Sequence, residues 1–145
     1  MEKQEQDYNL FDWFKKVVVK NYANFEGRAR RKEYWSFILV YMMIYLPLYI
    51  FTIVSMASEN PGFGIAGILL VIFALGMFIP NLAVAVRRLH DVNKSGWFIL
   101  IGLIPLVGLY LLVLMFTEGT NGPNEYGKDP KNFNEEINEI GTSQE

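Results

Sequence analysis

The chain has 145 residues, of which 52% are hydrophobic and 19% charged, and its formal net charge of −2 points to no class of partner. It contains no cysteine, which excludes disulfides, thiolate metal sites and cysteine nucleophiles. The length is that of one domain. The distribution of the charges is more informative than their sum, because they are concentrated outside three long apolar stretches.

The first 33 residues are polar and rich in Lys and Arg, and they lack the short apolar core and cleavage site of a secretory signal. The first apolar stretch is therefore expected to remain as an anchor. Apolar residues between Leu10 and Tyr22 fall near helical spacing with lysines among them, which predicts a short amphipathic helix on the membrane surface. The alternative is an ordinary helix packed on the protein's own cytoplasmic face.

Three stretches carry no charged side chain: residues 34–58, 60–86 and 95–117. A hydrocarbon core about 30 Å thick is crossed by roughly 20 apolar residues of helix, and each stretch is long enough. A soluble chain of this size would have too few polar residues left to cover such a core. The sequence predicts an all-α membrane protein in which the amphipathic helix precedes three transmembrane helices, at about residues 35–57, 64–86 and 97–116.

This interpretation divides the chain into three parts. Residues 1–33 form a cytoplasmic segment with the interfacial helix, residues 34–117 form the three-helix transmembrane domain, and residues 118–145 form a tail that is first rich in turns and then acidic and flexible. Short loops rich in Lys and Arg stay in the cytoplasm. We therefore predict that the N-terminus and the 87–94 loop are cytoplasmic and that the tail lies outside.

The third span contains Pro105 and Gly108, which leaves a second topology open. If these residues break the span into a re-entrant hairpin, the tail returns to the cytoplasmic face and Asp129 could meet the arginines. Each arm would have only about ten residues, which is too short to cross a bilayer alone. The straight third span is the preferred prediction.

The sequence gives little support for catalysis. His90, Asp91 and Ser95 suggest a hydrolase triad, but His90 and Asp91 are adjacent and would point about 100° apart on a helix. One histidine without cysteine cannot supply the usual zinc ligands. We predict no catalytic residues, no metal, no cofactor and no nucleic-acid partner. A subunit of an oligomeric transporter or channel is the alternative function, although no span carries an acidic or basic residue.

Four motifs follow one another along the chain: FEGRARRKEYW at 25–35, RRLHDVNKSGW at 87–97, IPLVG at 104–108 and GPNEYGKDP at 122–130. Together they resemble the YhaH/YhaI-type bacterial inner-membrane protein family, a domain of unknown function, over about residues 10 to 131. The resemblance implies a small multi-pass protein of the bacterial inner (plasma) membrane without an established activity, and it supplies no catalytic residues.

The resemblance also implies that the motif residues act together, since topology alone needs only generic basic residues. We predict a cytoplasmic surface that binds anionic lipid headgroups or a protein partner, which could be a second copy of this chain. Its candidate residues are Arg28, Arg30, Arg31, Glu33, Trp35, Arg87, Arg88, His90, Asp91, Ser95 and Trp97. The candidate residues of the tail motif are Asn124, Tyr126, Gly127, Asp129 and Pro130.

Overall fold

The computed structural model describes residues 5–58 and 62–131, except the side chains of Gln6 and Phe63. These residues contain the α-helices α1 (Leu10–Lys15), α2 (Arg31–Ala57), α3 (Gly62–Asp91) and α4 (Gly108–Phe116). They also contain two 3₁₀ segments, Glu5–Asp7 and Gly96–Leu103, and a π-helical segment, Lys16–Lys20. The predicted acidic end of the tail lies outside the described residues.

Two compact units make up the chain. The first unit comprises Met1–Asn24 and Lys32–Val84, and the second comprises Phe25–Arg31 and Ala85–Glu145. The predicted division into residues 1–33, 34–117 and 118–145 stays a prediction.

In the first unit, α1 begins with a capping box. Asn9 Oδ1 accepts a hydrogen bond from the backbone N–H of Asp12 at 2.9 Å, and Asp12 Oδ2 accepts one from the N–H of Asn9 at 3.1 Å. Two amide groups that the helix itself cannot satisfy are thereby paired. This local pairing explains why the helix starts at Leu10.

α1 and the π-helical segment pack on the protein itself. Trp13 and Val17 are buried, and the ring of Phe14 stacks on that of Phe37 in α2 with centroids 5.6 Å apart. These contacts favour the alternative of a helix packed on the protein's own surface. The other face still exposes apolar side chains, including 62% of Phe11, and its position at a membrane surface stays a prediction.

α2 and α3 are long and apolar enough to cross a membrane, at the first two predicted spans. Only 11% and 17% of their most apolar windows are buried, and the apolar side chains of both helices are largely exposed. A core helix of a soluble protein would be mostly buried, whereas lipid can cover such surfaces without cost. The two helices therefore have the surface of membrane spans.

Within the first unit, α2 and α3 form an antiparallel hairpin. The rings of Tyr41 and Phe73 stack with centroids 5.6 Å apart. Toward the turn, a Cβ on Gly67 would lie 3.9 Å from Thr52 Cγ2. Small residues permit this close approach of membrane helices, and Ala66 is accordingly only 3% exposed.

A proline in α3 creates a polar requirement that a tyrosine satisfies. Pro80 has no amide hydrogen, so the carbonyl of Gly76, four residues earlier, loses its usual helical donor. The hydroxyl of Tyr22 donates a hydrogen bond to that carbonyl at 2.6 Å. The side chain therefore ties the segment after the π-helical turn to α3 through a group that would otherwise be costly in an apolar region.

This pairing predicts a specific energetic coupling. Tyr22→Phe should lower the free energy of unfolding by about 1 kcal/mol, because it leaves the Gly76 carbonyl without its donor. In a Pro80→Ala background the new amide at residue 80 can satisfy that carbonyl. Tyr22→Phe should then cost close to nothing, and a double-mutant cycle measured by unfolding in mixed micelles would show the difference. Equal costs in the two backgrounds would refute the coupling.

The preferred straight third span is wrong. Its residues form a 3₁₀ segment, Gly96–Leu103, and the nine-residue helix α4, and the chain turns between them. Ile104, which precedes a proline, is extended with φ −97° and ψ 116°, as the proline ring requires. Leu106 has φ 67°, which no helix tolerates. Pro105 therefore ends the first arm, and the segment is broken as in the re-entrant alternative.

The predicted 87–94 loop is also corrected, because α3 continues to Asp91. The helix ends in a Schellman motif: Asn93 adopts a left-handed φ of 56°, its N–H donates to the carbonyl of His90, and the N–H of Lys94 donates to that of Leu89. Asparagine tolerates this conformation better than most residues. Arg87 to Asp91 thus have helical positions instead of belonging to a loop.

Candidate functional site

The centre of the second unit is a buried cluster of Arg28, Arg88 and Asp91, which we call the arginine–aspartate cluster. The three residues are 8%, 0% and 1% exposed. Arg28 Nε donates to Asp91 Oδ1 at 3.0 Å, and Arg88 Nη1 donates to Asp91 Oδ2. Arg88 and Asp91 are three residues apart on α3, so their side chains are neighbours on the helix surface. One carboxylate therefore serves two guanidinium groups from separate motifs.

The remaining N–H groups of Arg28 bind backbone carbonyls after α4. Nη1 donates to the carbonyl of Gly122 at 2.7 Å and more weakly to that of Gly127 at 3.4 Å, while Nη2 donates to that of Thr120 at 2.6 Å. A planar guanidinium with five N–H donors suits such a set of acceptors. Arg28 therefore joins the N-terminal motif to the tail motif.

Arg88 holds the end of α4 in the same way. Its Nε donates to the carbonyl of Met115 at 3.3 Å, its Nη2 donates to that of Thr117, and its Nη1 also lies 3.4 Å from that of Ala29. The final turn of a helix has carbonyls without intrahelical donors, and a cation there is favourable. The side chain thus satisfies the C-terminus of α4 and neutralises Asp91 at once.

The tail passes against Asp91 so closely that glycine is required. A Cβ on Gly119 would lie 2.6 Å from Asp91 Cγ, and the two arginines hold that carboxylate in place. The next residue, Thr120, donates its backbone N–H to the carbonyl of Asp91 at 2.9 Å. The tail is therefore fitted to the end of α3 through both side chain and backbone.

His90 lies beside this cluster and makes three contacts within the second unit. Its Nδ1 is 3.1 Å from the carbonyl of Gly27, which can only accept, so Nδ1 carries the hydrogen. Its ring is parallel to that of Tyr126, with centroids 3.9 Å apart. Asn124 Nδ2 donates to the backbone carbonyl of His90 at 2.9 Å. These contacts fix the position of the His90 ring and of its backbone carbonyl.

The tail motif is a tight turn built by its own side chains. Asn124 and Gly127 exchange backbone hydrogen bonds at 3.0 and 3.1 Å, and Asn124 Oδ1 accepts from the N–H of Tyr126 at 2.9 Å. Gly127 has φ 132°, a conformation that only glycine adopts readily. Asp129 Oδ2 accepts from the N–H of Gly122 at 3.0 Å. The turn presents the carbonyls that Arg28 binds.

Two details of the sequence interpretation are corrected here. The carboxylate of Asp129 does not bind Arg28 but accepts a hydrogen bond from the N–H of Gly122 and so closes the turn. Arg28 instead donates to backbone carbonyls of the tail. Arg28 and Arg88 are buried with their guanidinium groups directed at protein atoms. That geometry leaves neither of them on the surface to bind a lipid headgroup.

The other candidate residues occupy different environments. Arg31 pairs with Glu118 on the exposed surface of the second unit, and Trp97 is 78% exposed. Ser95 Oγ accepts from the N–H of Trp97, and the carbonyl of buried Arg87 accepts from the N–H of Ala29. In the first unit, buried Glu33 pairs with Lys16 at 2.8 Å and Trp35 contacts Tyr34 edge to face. Arg30 and Pro130 are half-buried.

The acceptors in this site escape sequence reasoning. Met115, Thr117, Thr120 and Gly122 take part through backbone carbonyls, which every residue type possesses. Gly119 carries a weak signal, since a glycine directly after a helical apolar segment marks a close approach or a turn. Lys16, the partner of Glu33, cannot be recognised from the sequence, because nothing distinguishes it from the other lysines near it.

Comparisons with known proteins agree with the resemblance of the motifs. The family model described as "Protein of unknown function (DUF805)" matches residues 22–128. Inner membrane protein YhaI of Escherichia coli (strain K12) is 44% identical over 115 residues, which cover 79% of this chain and 92% of that protein. Inner membrane protein YhaH of the same strain is 45% identical over 126 residues, covering 83% and 97%. Uncharacterized protein YiiR, also from that strain, is 30% identical over 133 residues, covering 73% and 85%. No solved structure matches the chain.

Proposed function

We propose that this chain, which belongs to the DUF805 family and is an integral protein of the bacterial inner membrane, is non-enzymatic. We propose further that it binds anionic lipid headgroups through exposed lysines. The buried arginines then have a different task, which is to hold the tail. The observation that carries the proposal is this separation of the basic residues into a buried set and an exposed set.

The exposed lysines of this proposal lie in the first unit. Lys15 and Lys20 are exposed on α1 and the π-helical segment, and Lys32 is exposed in the first turn of α2. Phe11 and Val19, on the same N-terminal segment, expose 62% and 65% of their surface. Lysines next to exposed apolar side chains are typical of a segment at the headgroup level of an anionic leaflet.

A non-enzymatic role is supported by the contacts of the residues that could do chemistry. Asp91 is neutralised by two arginines, and His90 is engaged with Gly27 and Tyr126. Among the described residues, no group of three or more His, Asp or Glu side chains could hold a metal ion. These contacts favour a structural use of the two residues over a catalytic one.

Orientation in the membrane is part of the proposal. The Lys and Arg residues before α2 and near the end of α3 favour a cytoplasmic position for both ends of the α2–α3 hairpin. The exposed lysines would then face the anionic lipids of the cytoplasmic leaflet. The alternative function as a transporter or channel subunit has less support, because neither 34–58 nor 60–86 carries Asp, Glu, Lys, Arg or His.

Replacing Lys15, Lys20 and Lys32 together by Gln should reduce the preference for anionic lipid. We expect the affinity ratio of phosphatidylglycerol to phosphatidylcholine to fall by up to about fivefold per lysine, because each exposed lysine interacts with the surface charge. The measurement is the amount of each lipid retained by the purified protein in mixed micelles, by native mass spectrometry.

The matched control replaces the same three lysines by Arg, which keeps the charge and should keep the preference. An unchanged preference in the Gln variant would refute lipid binding by this surface. If the Gln variant keeps its lipid preference but loses a protein that copurifies with the parent chain from native membranes, the surface binds that protein instead of lipid.

A further inference from the structure

We propose that Gly96–Phe116 is a re-entrant hairpin, which enters the membrane beside the end of α3, reaches about the midplane and leaves on the side where it entered. The exposed apolar side chains of the hairpin contact the acyl chains of one leaflet. The chain would then cross the membrane twice, and its tail would lie on the same side as Lys94. The inference is independent of lipid binding by the exposed lysines.

Both arms of the hairpin have their outer ends at the last turns of α3. At the start of the first arm, a Cβ on Gly96 would lie 2.7 Å from Val86 Cγ1 and 3.4 Å from His90 Nε2. At the end of the second arm, the carbonyl of Met115 accepts from Arg88. A segment that crossed the bilayer would separate its ends by about 30 Å, and these contacts exclude such a separation.

The order of contacts gives the direction of the second arm. Along the chain, Met115 meets Arg88, and Gly119 and Thr120 then meet Asp91, the last residue of α3. The chain leaving α4 therefore advances in the same direction as α3 does at its C-terminal end. α4 therefore arrives from the N-terminal side of the last turn of α3, Arg88 to Asp91.

The lengths of the arms match half a bilayer. Eight residues of 3₁₀ helix rise by about 16 Å, and nine residues of α-helix rise by about 13.5 Å. The hydrocarbon core is about 30 Å thick, so arms that begin at its surface end near its middle. Because the two arms are nearly equal in length, their inner ends reach about the same depth, where the turn joins them.

Three backbone amides at the turn donate to carbonyls of the turn itself. The N–H of Ile104 donates to the carbonyl of Ile101 at 3.0 Å, and the N–H of Gly108 donates to that of Ile104 at 2.8 Å. The N–H of Val107 donates to the carbonyl of Pro105 at 2.8 Å. Pro105 itself has no N–H to satisfy. These hydrogen bonds lower the cost of a chain reversal in hydrocarbon.

The side chains of the hairpin suit lipid and not water. Residues 95–117 include no charged side chain. Leu106 at the turn is 83% exposed, and Leu103 and Trp97 on the first arm are 79% and 78% exposed. Water around these groups would be costly, whereas acyl chains impose no such cost. The exposed apolar surface and the half-bilayer length of the arms thus both indicate that acyl chains surround the hairpin.

The absence of cysteine makes a direct test possible. Single variants Lys94→Cys, Asn121→Cys, Leu106→Cys and Ser58→Cys are labelled with a membrane-impermeant maleimide in spheroplasts and in inside-out vesicles. We expect Asn121→Cys to react in the same preparation as Lys94→Cys, at least tenfold more than in the other. Ser58→Cys, at the end of α2, should show the reverse, and Leu106→Cys should react only after denaturation.

Each contrary result has a definite meaning. Labelling of Asn121→Cys together with Ser58→Cys would show a full third crossing and overturn the hairpin. Labelling of Leu106→Cys together with Lys94→Cys would place the hairpin outside the lipid, and labelling together with Ser58→Cys would show that it passes through. Each of these outcomes refutes the inference. Lys128→Cys provides a second tail position if Asn121→Cys does not accumulate.

Discussion

Asp91→Asn is expected to lower the free energy of unfolding by about 3–5 kcal/mol, because it removes the negative charge from a buried ion cluster. The guanidinium groups of Arg28 and Arg88 would remain, with the two arginines 8% and 0% exposed. Asparagine has nearly the same volume, so the loss reports charge and hydrogen bonding without a cavity. An amide can also donate toward the arginines where a carboxylate only accepts.

The measurement is the free energy of unfolding in mixed micelles of a mild detergent and dodecyl sulfate. Glu118→Gln is the matched control, because Glu118 also serves two cations, Arg31 and Lys131. The side chains of Glu118 and Arg31 are 56% and 44% exposed, and exposed pairs contribute only about 0–1 kcal/mol. If both substitutions cost the same, burial of the cluster does not determine the stability of the second unit.

The two membrane-capable helices could be predicted because their signal is local. An uninterrupted apolar run over more than 20 residues is sufficient, and α2 and α3 follow the predicted spans within a few residues at most ends. The apolar run does not predict the C-terminal end of α3, because the charged residues from Arg87 onward mark the end of a span and not of a helix. The Schellman motif at Asn93 and Lys94, and the i, i+3 pair of Arg88 and Asp91, extend it to Asp91.

The broken third segment shows where a hydrophobic run misleads. Its length and apolarity equal those of a span, and a proline alone does not decide the outcome, because α3 continues through Pro80. The Gly76 carbonyl that Pro80 leaves without a donor is satisfied by Tyr22. At Pro105 the chain instead turns, with Ile104 extended and Leu106 at positive φ. Periodicity reveals neither that partner, 54 residues away, nor the turn at Pro105.

The motifs include Arg28, Arg88 and Asp91, but the sequence does not show how these residues are arranged. The three motifs of the second unit are joined by hydrogen bonds of Arg28, which binds Asp91, 63 residues later in the chain, and Gly122, 94 residues later. Sequence patterns supply neither distance. They also cannot separate a buried arginine from an exposed lysine, so the basic residues were treated as one surface. The structure divides them, and the specific identity of the arginines is explained by the carbonyls they bind.

Arg88→Lys is expected to release the tail although it preserves the charge. Lysine offers one ammonium in place of a planar fork, and Arg88 binds Asp91 together with the carbonyls of Met115 and Thr117. Losing two charge-assisted hydrogen bonds of at least about 1.5 kcal/mol each gives roughly 3 kcal/mol. The open population of the tail should rise roughly a hundredfold.

Limited proteolysis after residue 117 in detergent measures that population, since cleavage follows the open fraction when opening is fast. Arg31→Lys is the control, because Arg31 makes a single exposed pair with Glu118 and should leave the rate within a few-fold of the parent. Equal protection in the two variants would mean that the tail is held without Arg88. A selective increase for Arg88→Lys would identify the buried guanidinium, and not its charge, as what fastens the tail to the end of α3.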